Sequence, residues 1–153
     1  MNDVPFDRAR GDVIISTDRT RLDVDLVHTV LAGTYWAANI PREVVVRSID
    51  NSLAFGIYEA RRQVGFARVI TDLATYAYLS DVFIIEERRG RGLGKLLVES
   101  IVLHPQLQGL RRFALFTRDA AALYERHGFA TPVSPSGYME ILNRGAYGMN
   151  PAE

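Results

Sequence analysis

The sequence predicts an α/β domain in which a mixed sheet carries helices on both faces, and three observations lead there. Segments of strand composition and segments of helical periodicity follow one another in the order β-α-α-β-β-β-α-β-α-β. Residues 53–60 and 63–71 are two strand-like runs around Arg61-Arg62, as in an antiparallel hairpin. Residues 76–85, rich in β-branched and aromatic side chains, run through three alternating glycines into an amphipathic helix.

In chain order, Val13-Ile14-Ile15-Ser16 is a short first strand after a polar leader. Thr20, with Asp23 three residues on, offers a capping box for a helix that turns Leu22, Leu26, Val27 and Val30 inward and ends near Gly33. Residues 34–40 form a loop. Pro41 suits the first position of a second helix with Glu43 in its first turn and Val44, Val45 and Ile49 inward; Asn51-Ser52 ends it. Beyond the hairpin and the central strand, a helix starting near Gly92 aligns Leu93, Leu96, Leu97 and Ile101 and stops near Pro105. Residues 112–117 are a further strand, Asp119 is placed to cap the helix holding Tyr124, and residues 138–142 add a closing strand.

At 153 residues, 48% of them apolar, the chain fits one domain, 1–143, with a loose tail at 144–153. Eighteen basic residues balance eighteen acidic ones, so no global field favours nucleic acid or an anionic membrane. Without cysteine there is no disulfide framework, thiolate metal site or cysteine acyl-enzyme. His28, His104 and His127 are too dispersed for a metal site and read as surface or helix-end residues. The polar N-terminus and the lack of a long apolar run point to a cytoplasmic protein.

The stretch Arg88-Arg89-Gly90-Arg91-Gly92-Leu93-Gly94-Lys95 looks like an anion socket. Glycines let the chain turn tightly and bring N–H groups close to a bulky anion at the positive end of a helix, and the four basic residues add charge. It is not a P-loop, because Arg89 stands where a glycine is needed and Leu96 follows Gly94-Lys95. Nor is it a dinucleotide fingerprint, since Lys95 takes the place of the third glycine. Arg89, Gly92 and Gly94 do fit the pattern Arg or Gln, two residues, Gly, one residue, Gly or Ala. About thirty residues on, Ala120, Tyr124 and Gly128-Phe129 follow the pattern Ala, three residues, Tyr, three residues, Gly-Phe. With both motifs in this order, the chain resembles the GNAT superfamily of N-acetyltransferases.

That resemblance implies a mostly antiparallel, twisted sheet and acetyl-CoA as cofactor, its pyrophosphate held by Arg89, Gly90, Arg91, Gly92, Leu93, Gly94 and Lys95. It implies that the central strand splays from its neighbour, so that the amides of Val82, Phe83 and Ile84 take the pantetheine arm and polarise the acetyl carbonyl. Tyr124 matches the tyrosine that protonates the departing CoA sulfur. Thr117 stands where many members have an asparagine that contacts pantetheine, and a hydroxyl replaces part of that contact.

On the acceptor side, Asp81 is the only carboxylate inside the central strand, with Ser80 and Tyr78 flanking it. It holds a cationic amine, relays its proton through water, or fixes a local bulge. Tyr35 and Trp36 lie in the loop that borders the acceptor in the family. They wall an amine pocket or seal the core, Trp36 leaning to the core.

The expected activity is acetyl-CoA-dependent N-acyl transfer, a primary amine attacking directly in a ternary complex. The partners are a small-molecule or peptide amine, without nucleic acid or membrane, and the protein is a monomer or homodimer. One rival is a catalytically weak acyl-CoA-binding sensor or regulatory module; another is an interaction domain with an ordinary glycine turn.

Overall fold

A computed structural model describes residues 4–148; residues 1–3 and the last five positions of the expected tail, 149–153, lie outside the described residues. Among the described residues six strands form one sheet in chain order: β1 (Asp7–Arg10), β2 (Val13–Ser16), β3 (Leu53–Glu59), β4 (Arg62–Thr71), β5 (Tyr76–Ile84) and β6 (Arg112–Leu115). Neighbours from β1 to β5 are antiparallel, and β6 joins β5 in parallel. A parallel pair needs a crossover, and α3 (Leu93–Val102) supplies it. The sheet is therefore mixed and mostly antiparallel, as expected.

Helices cover both faces. Phe55, Ile57, Ala67 and Val69 share one face by their register and are fully buried. On that side Arg8 of β1 donates to Ser100 and Glu99 of α3, and the His104 ring after α3 packs edge-on against Phe55. The opposite face carries α1 (Val24–Ala32) and α2 (Arg42–Asp50). There Arg21 lies over the Tyr58 ring, and Gln63 accepts from the Asp23 amide at the start of α1. Gly56 must be a glycine, because a Cβ there would run into the Tyr58 ring. Short α4 (Ala121–Glu125) follows β6.

Several expectations are corrected. The polar leader contains β1, an edge strand paired to β2 through the turn at Gly11, whose φ is +63°. Asp18, accepting from Thr20, caps a 3-10 turn over Arg19–Arg21, and Asp23 caps α1 by accepting from the Leu26 amide. Leu22 thus precedes the helix instead of lying on it. The hairpin turns at Ala60-Arg61, both with positive φ as a tight turn matching strand twist requires, and Arg62 is already in β4. Asp119 does not cap α4; Thr117 Oγ1 accepts from the Ala120 amide instead.

The closing strand at 138–142 does not form. Those side chains are exposed and the segment pairs with no described strand, so nothing buried offsets the cost of ordering it. His104 is buried, its Nδ1 accepting from the Gln106 amide. His28 bonds the Ile40 carbonyl, while Asp25 pairs with Arg42.

Candidate active site

The site grows from an irregularity in β5. Pairing with β4 shifts from Phe66↔Phe83 to Arg68↔Ser80, so Ala67 opposes both Asp81 and Val82. Asp81 takes the extra position with φ +58°, a left-handed conformation that costs a non-glycine residue about 1–2 kcal/mol and that aspartate tolerates better than most. On its other edge β5 pairs with β6 only over Tyr76–Leu79. From Ser80 onward β5 has no strand partner on this edge among the described residues. On that edge the Ile84 carbonyl accepts from Arg89 Nε at 3.1 Å, whereas Ile85 donates to the Val64 carbonyl and the Phe83 carbonyl lies against Gly65, so Phe83, expected to look the same way as Val82 and Ile84, faces β4 instead.

Beyond Ile85 a 3-10 turn over Glu86–Arg88 leads into the glycines. Gly90 and Gly92 have φ of +79° and +77°, and a Cβ on either would meet nothing within 4 Å. Backbone conformation is what requires glycine, and the space before the loop is open. Gly92 caps α3 without any side-chain hydrogen bond, so the amides of the first turn have no partner in the helix. Gly94 has an ordinary conformation and lies between Ile84 and Leu123, 3.9 and 4.0 Å from where its Cβ would stand. Arg88 and Arg91 both lean on Glu59, at 3.2 and 3.9 Å, while Lys95 is exposed. An open helix terminus, free amides and surplus positive charge suit a pyrophosphate.

Tyr124 lies on α4. Its ring is buried beside Phe129, which packs edge-on against Phe113 of β6. Burial raises its pKa, and Tyr35 and Asp119 nearby push it further the same way. The phenol is thus a protonated donor at neutral pH. Thr117, by accepting from Ala120 at 3.0 Å, fixes the start of α4, and its own hydroxyl hydrogen stays free to donate.

The acceptor side is built from three elements. Tyr35 and Trp36, from the loop between α1 and α2, meet edge to face at 5.0 Å and are 44% and 43% exposed, so Trp36 does not seal the core. Trp36 Nε1 donates to Asp81 Oδ1 at 2.9 Å. Arg68 Nε donates to Asp81 Oδ2 at 2.6 Å, and its Nη1 to Ser52 Oγ at 3.4 Å. Arg118 lies 3.8 Å over the Tyr35 ring. Half-buried Tyr78 has its pKa raised by burial, with Tyr76 and Asp81 adding to the effect. Ser80 sits directly across from Arg68.

Sequence reasoning missed Arg68 and Arg118. The signal for Arg68 was a lone charge inside the apolar run Val64-Gly65-Phe66-Ala67-Arg68-Val69; Arg118, in an exposed loop, gave none. A groove of about 340 Å³ lined by Thr17, Arg19, Leu53, His104 and Gln106, among others, shares no residue with this site.

Comparisons with known proteins agree with the geometry. A family model described as an acetyltransferase (GNAT) domain matches residues 50–131. A candidate acetyltransferase of Gibberella zeae is 32% identical over 146 residues, spanning 80% of this chain and 81% of that protein. A crystal structure of a candidate GNAT acetyltransferase from Xanthomonas campestris superposes with a TM-score of 0.87 at 49% identity, covering 92% of this chain and all of that one. A candidate acetyltransferase from Clostridium acetobutylicum, crystallised with acetyl-CoA, has a TM-score of 0.60 at 14% identity over 92% of this chain and 97% of its own, and so shares the fold.

Proposed function

The chain belongs to the GNAT family of acetyltransferases, and we propose that it moves the acetyl group of acetyl-CoA onto a primary amine by direct attack in a ternary complex. The observation that carries this reading is that β5 loses its β6 partner beyond Leu79, just ahead of the uncapped start of α3, with the largely buried Tyr124 on the helix that follows β6. Acetyl-CoA supplies an activated thioester. The glycine loop, through Arg89, Gly92, Gly94 and their neighbours, holds its pyrophosphate.

The amine nitrogen bonds to the thioester carbonyl carbon, and negative charge develops on the carbonyl oxygen. Backbone amides of β5 on the edge away from β4 stabilise that charge, each donor contributing roughly 3–4 kcal/mol if it behaves as other oxyanion donors do. The carbon–sulfur bond then breaks, and the thiolate takes the Tyr124 proton. Burial helps here, because the raised pKa keeps the phenol protonated until the thiolate forms. The ammonium proton passes to water, and solvent returns a proton to the Tyr124 phenolate. Both oxygens of Asp81 already accept hydrogen bonds, one from Trp36 and the other from Arg68.

Thiol release from acetyl-CoA, measured across a panel of primary amines with mass detection of the acetylated product, tests the reading. Amine-dependent release with matching product supports it. Release without any acetylated amine would show a hydrolase and overturn it.

A further inference from the structure

Acetyl transfer leaves one unit of the site without a role: the carboxylate of Asp81 and the two groups that occupy it. Trp36, the only tryptophan in the chain, ties the α1–α2 loop to the β5 bulge across 45 positions of sequence. Arg68 ties the same carboxylate to β4 and, through Ser52, to the start of β3. The ion pair is largely buried, its side chains 16% and 6% exposed, so loss of either partner would strand a charge away from water. Such a pair holds its geometry.

Two consequences follow for anything bound beside Val82. Asp81 is already neutralised by Arg68 and offers no free anion to a second ammonium group. The other nearby carboxylates, Asp119 close to Tyr124 and Glu140 close to Tyr78, are exposed and screened by water. The indole, meanwhile, has one polar atom, and it is spent on Asp81, so what remains of the ring is carbon. Tyr35 buttresses it edge-on, and Arg118 covers the face of Tyr35. The wall is stiff, apolar and one residue from the start of the proposed oxyanion site.

We propose that Arg68, Asp81 and Trp36 form a positioning clamp that holds the indole as the apolar wall of the acceptor pocket, selecting a monoamine with an apolar carbon body over a polyamine. The selectivity rests on the acetyl-transfer reading; the clamp does not.

The double variant Arg68→Met/Asp81→Gly removes both charges together, and glycine suits φ +58° at position 81, so no buried charge or strained residue remains to unfold it. Because Trp36 is the sole tryptophan, intrinsic fluorescence reads the clamp directly. The expected result is a red-shifted emission and stronger quenching by acrylamide than in the parent protein; unchanged emission and quenching overturn the clamp.

Steady-state kinetics with phenethylamine and spermidine read the selectivity. The parent should favour phenethylamine in kcat/KM by about tenfold or more, the usual scale for apolar pocket discrimination. The variant should lose that preference through a rise in the phenethylamine KM, with the acetyl-CoA KM unchanged. A parent that prefers spermidine overturns the selectivity. Should neither amine be acetylated, the panel under the proposed function decides the acetyl-transfer reading, and binding replaces turnover as the readout for selectivity. Equilibrium quenching of Trp36 then decides the pocket: tighter binding of phenethylamine supports it and tighter binding of spermidine refutes it.

Discussion

Gly65→Ala is a small change with a large expected effect, because it acts on the strand that presents the acyl site. Gly65 of β4 faces Ile84 of β5 across the ladder and Ile57 of β3 on its other side. An added Cβ would stand 2.5 Å from Ile57 Cγ2, 2.7 Å from Ile84 Cδ1 and 2.7 Å from the Phe83 carbonyl oxygen. The two side-chain tips can rotate, but the carbonyl belongs to the backbone. To approach ordinary van der Waals separation, it must retreat by roughly half an ångström or more. Overpacking of this kind costs about 1–3 kcal/mol, which for a domain of this size lowers Tm by roughly 2–12 °C.

The displaced residue is Phe83, so acetyl-CoA affinity should fall along with stability. Differential scanning calorimetry and a cofactor titration below the new Tm measure the two effects. Ile84→Val should relieve one contact and leave the backbone clash, recovering stability without full affinity. A Gly65→Ala protein with parental Tm and parental acetyl-CoA affinity would refute the reasoning.

Other perturbations test separate parts of the site and the core. Tyr124→Phe should lower kcat by about a hundredfold, within the range for loss of a proton donor, and leave acetyl-CoA affinity within twofold; equal rates where chemistry limits turnover would remove Tyr124 from its role. Because its pKa is raised, kcat should show no fall from Tyr124 ionisation between about pH 7 and 9, and a fall there that is absent in the phenylalanine variant would contradict the assignment. Tyr58, whose buried hydroxyl lacks a partner, has its pKa pushed up to about 12 by burial. Its contribution is fully present below the unfolded phenol pKa of about 10 and is lost as pH rises towards the folded value. Tyr58→Phe should therefore stabilise the protein by roughly 1 kcal/mol at neutral pH and remove that alkaline loss, both visible in thermal melts at stepped pH.

Where function is written in local pattern, the sequence was readable. The hairpin β3–β4, the strand β5, the glycine turn and α3 each satisfy their own periodicity, and the structure keeps all four. The glycines at 90 and 92 have the positive φ that a tight approach demands. Elements whose form depends on a distant partner were not readable. β1, Asp7-Arg8-Ala9-Arg10, has no apolar alternation because neither of its faces is buried, and its Arg8 is held by residues of α3 more than ninety positions away. Residues 138–142 show the converse, strand composition that pairs with no described strand.

The same holds within the site. Asp81 was visible as a lone acid in an apolar strand, yet its left-handed backbone, Arg68 and Trp36 meet it only through the folded loop and ladder. Asp119 has the residue type and place of a cap, yet in the folded chain it is Thr117 that accepts from the amide of Ala120.

The measurement that bears most directly on function is a calorimetric titration of the protein with acetyl-CoA, beside Gly92→Glu. Position 92 has open space around it, but a glutamate there brings φ +77° strain and a negative charge to the start of α3. The expected result is saturable binding by the parent protein and its loss in a variant that circular dichroism shows to be folded. Equal binding of acetyl-CoA by both proteins, or by neither, would contradict the assignment of the glycine loop as the pyrophosphate site.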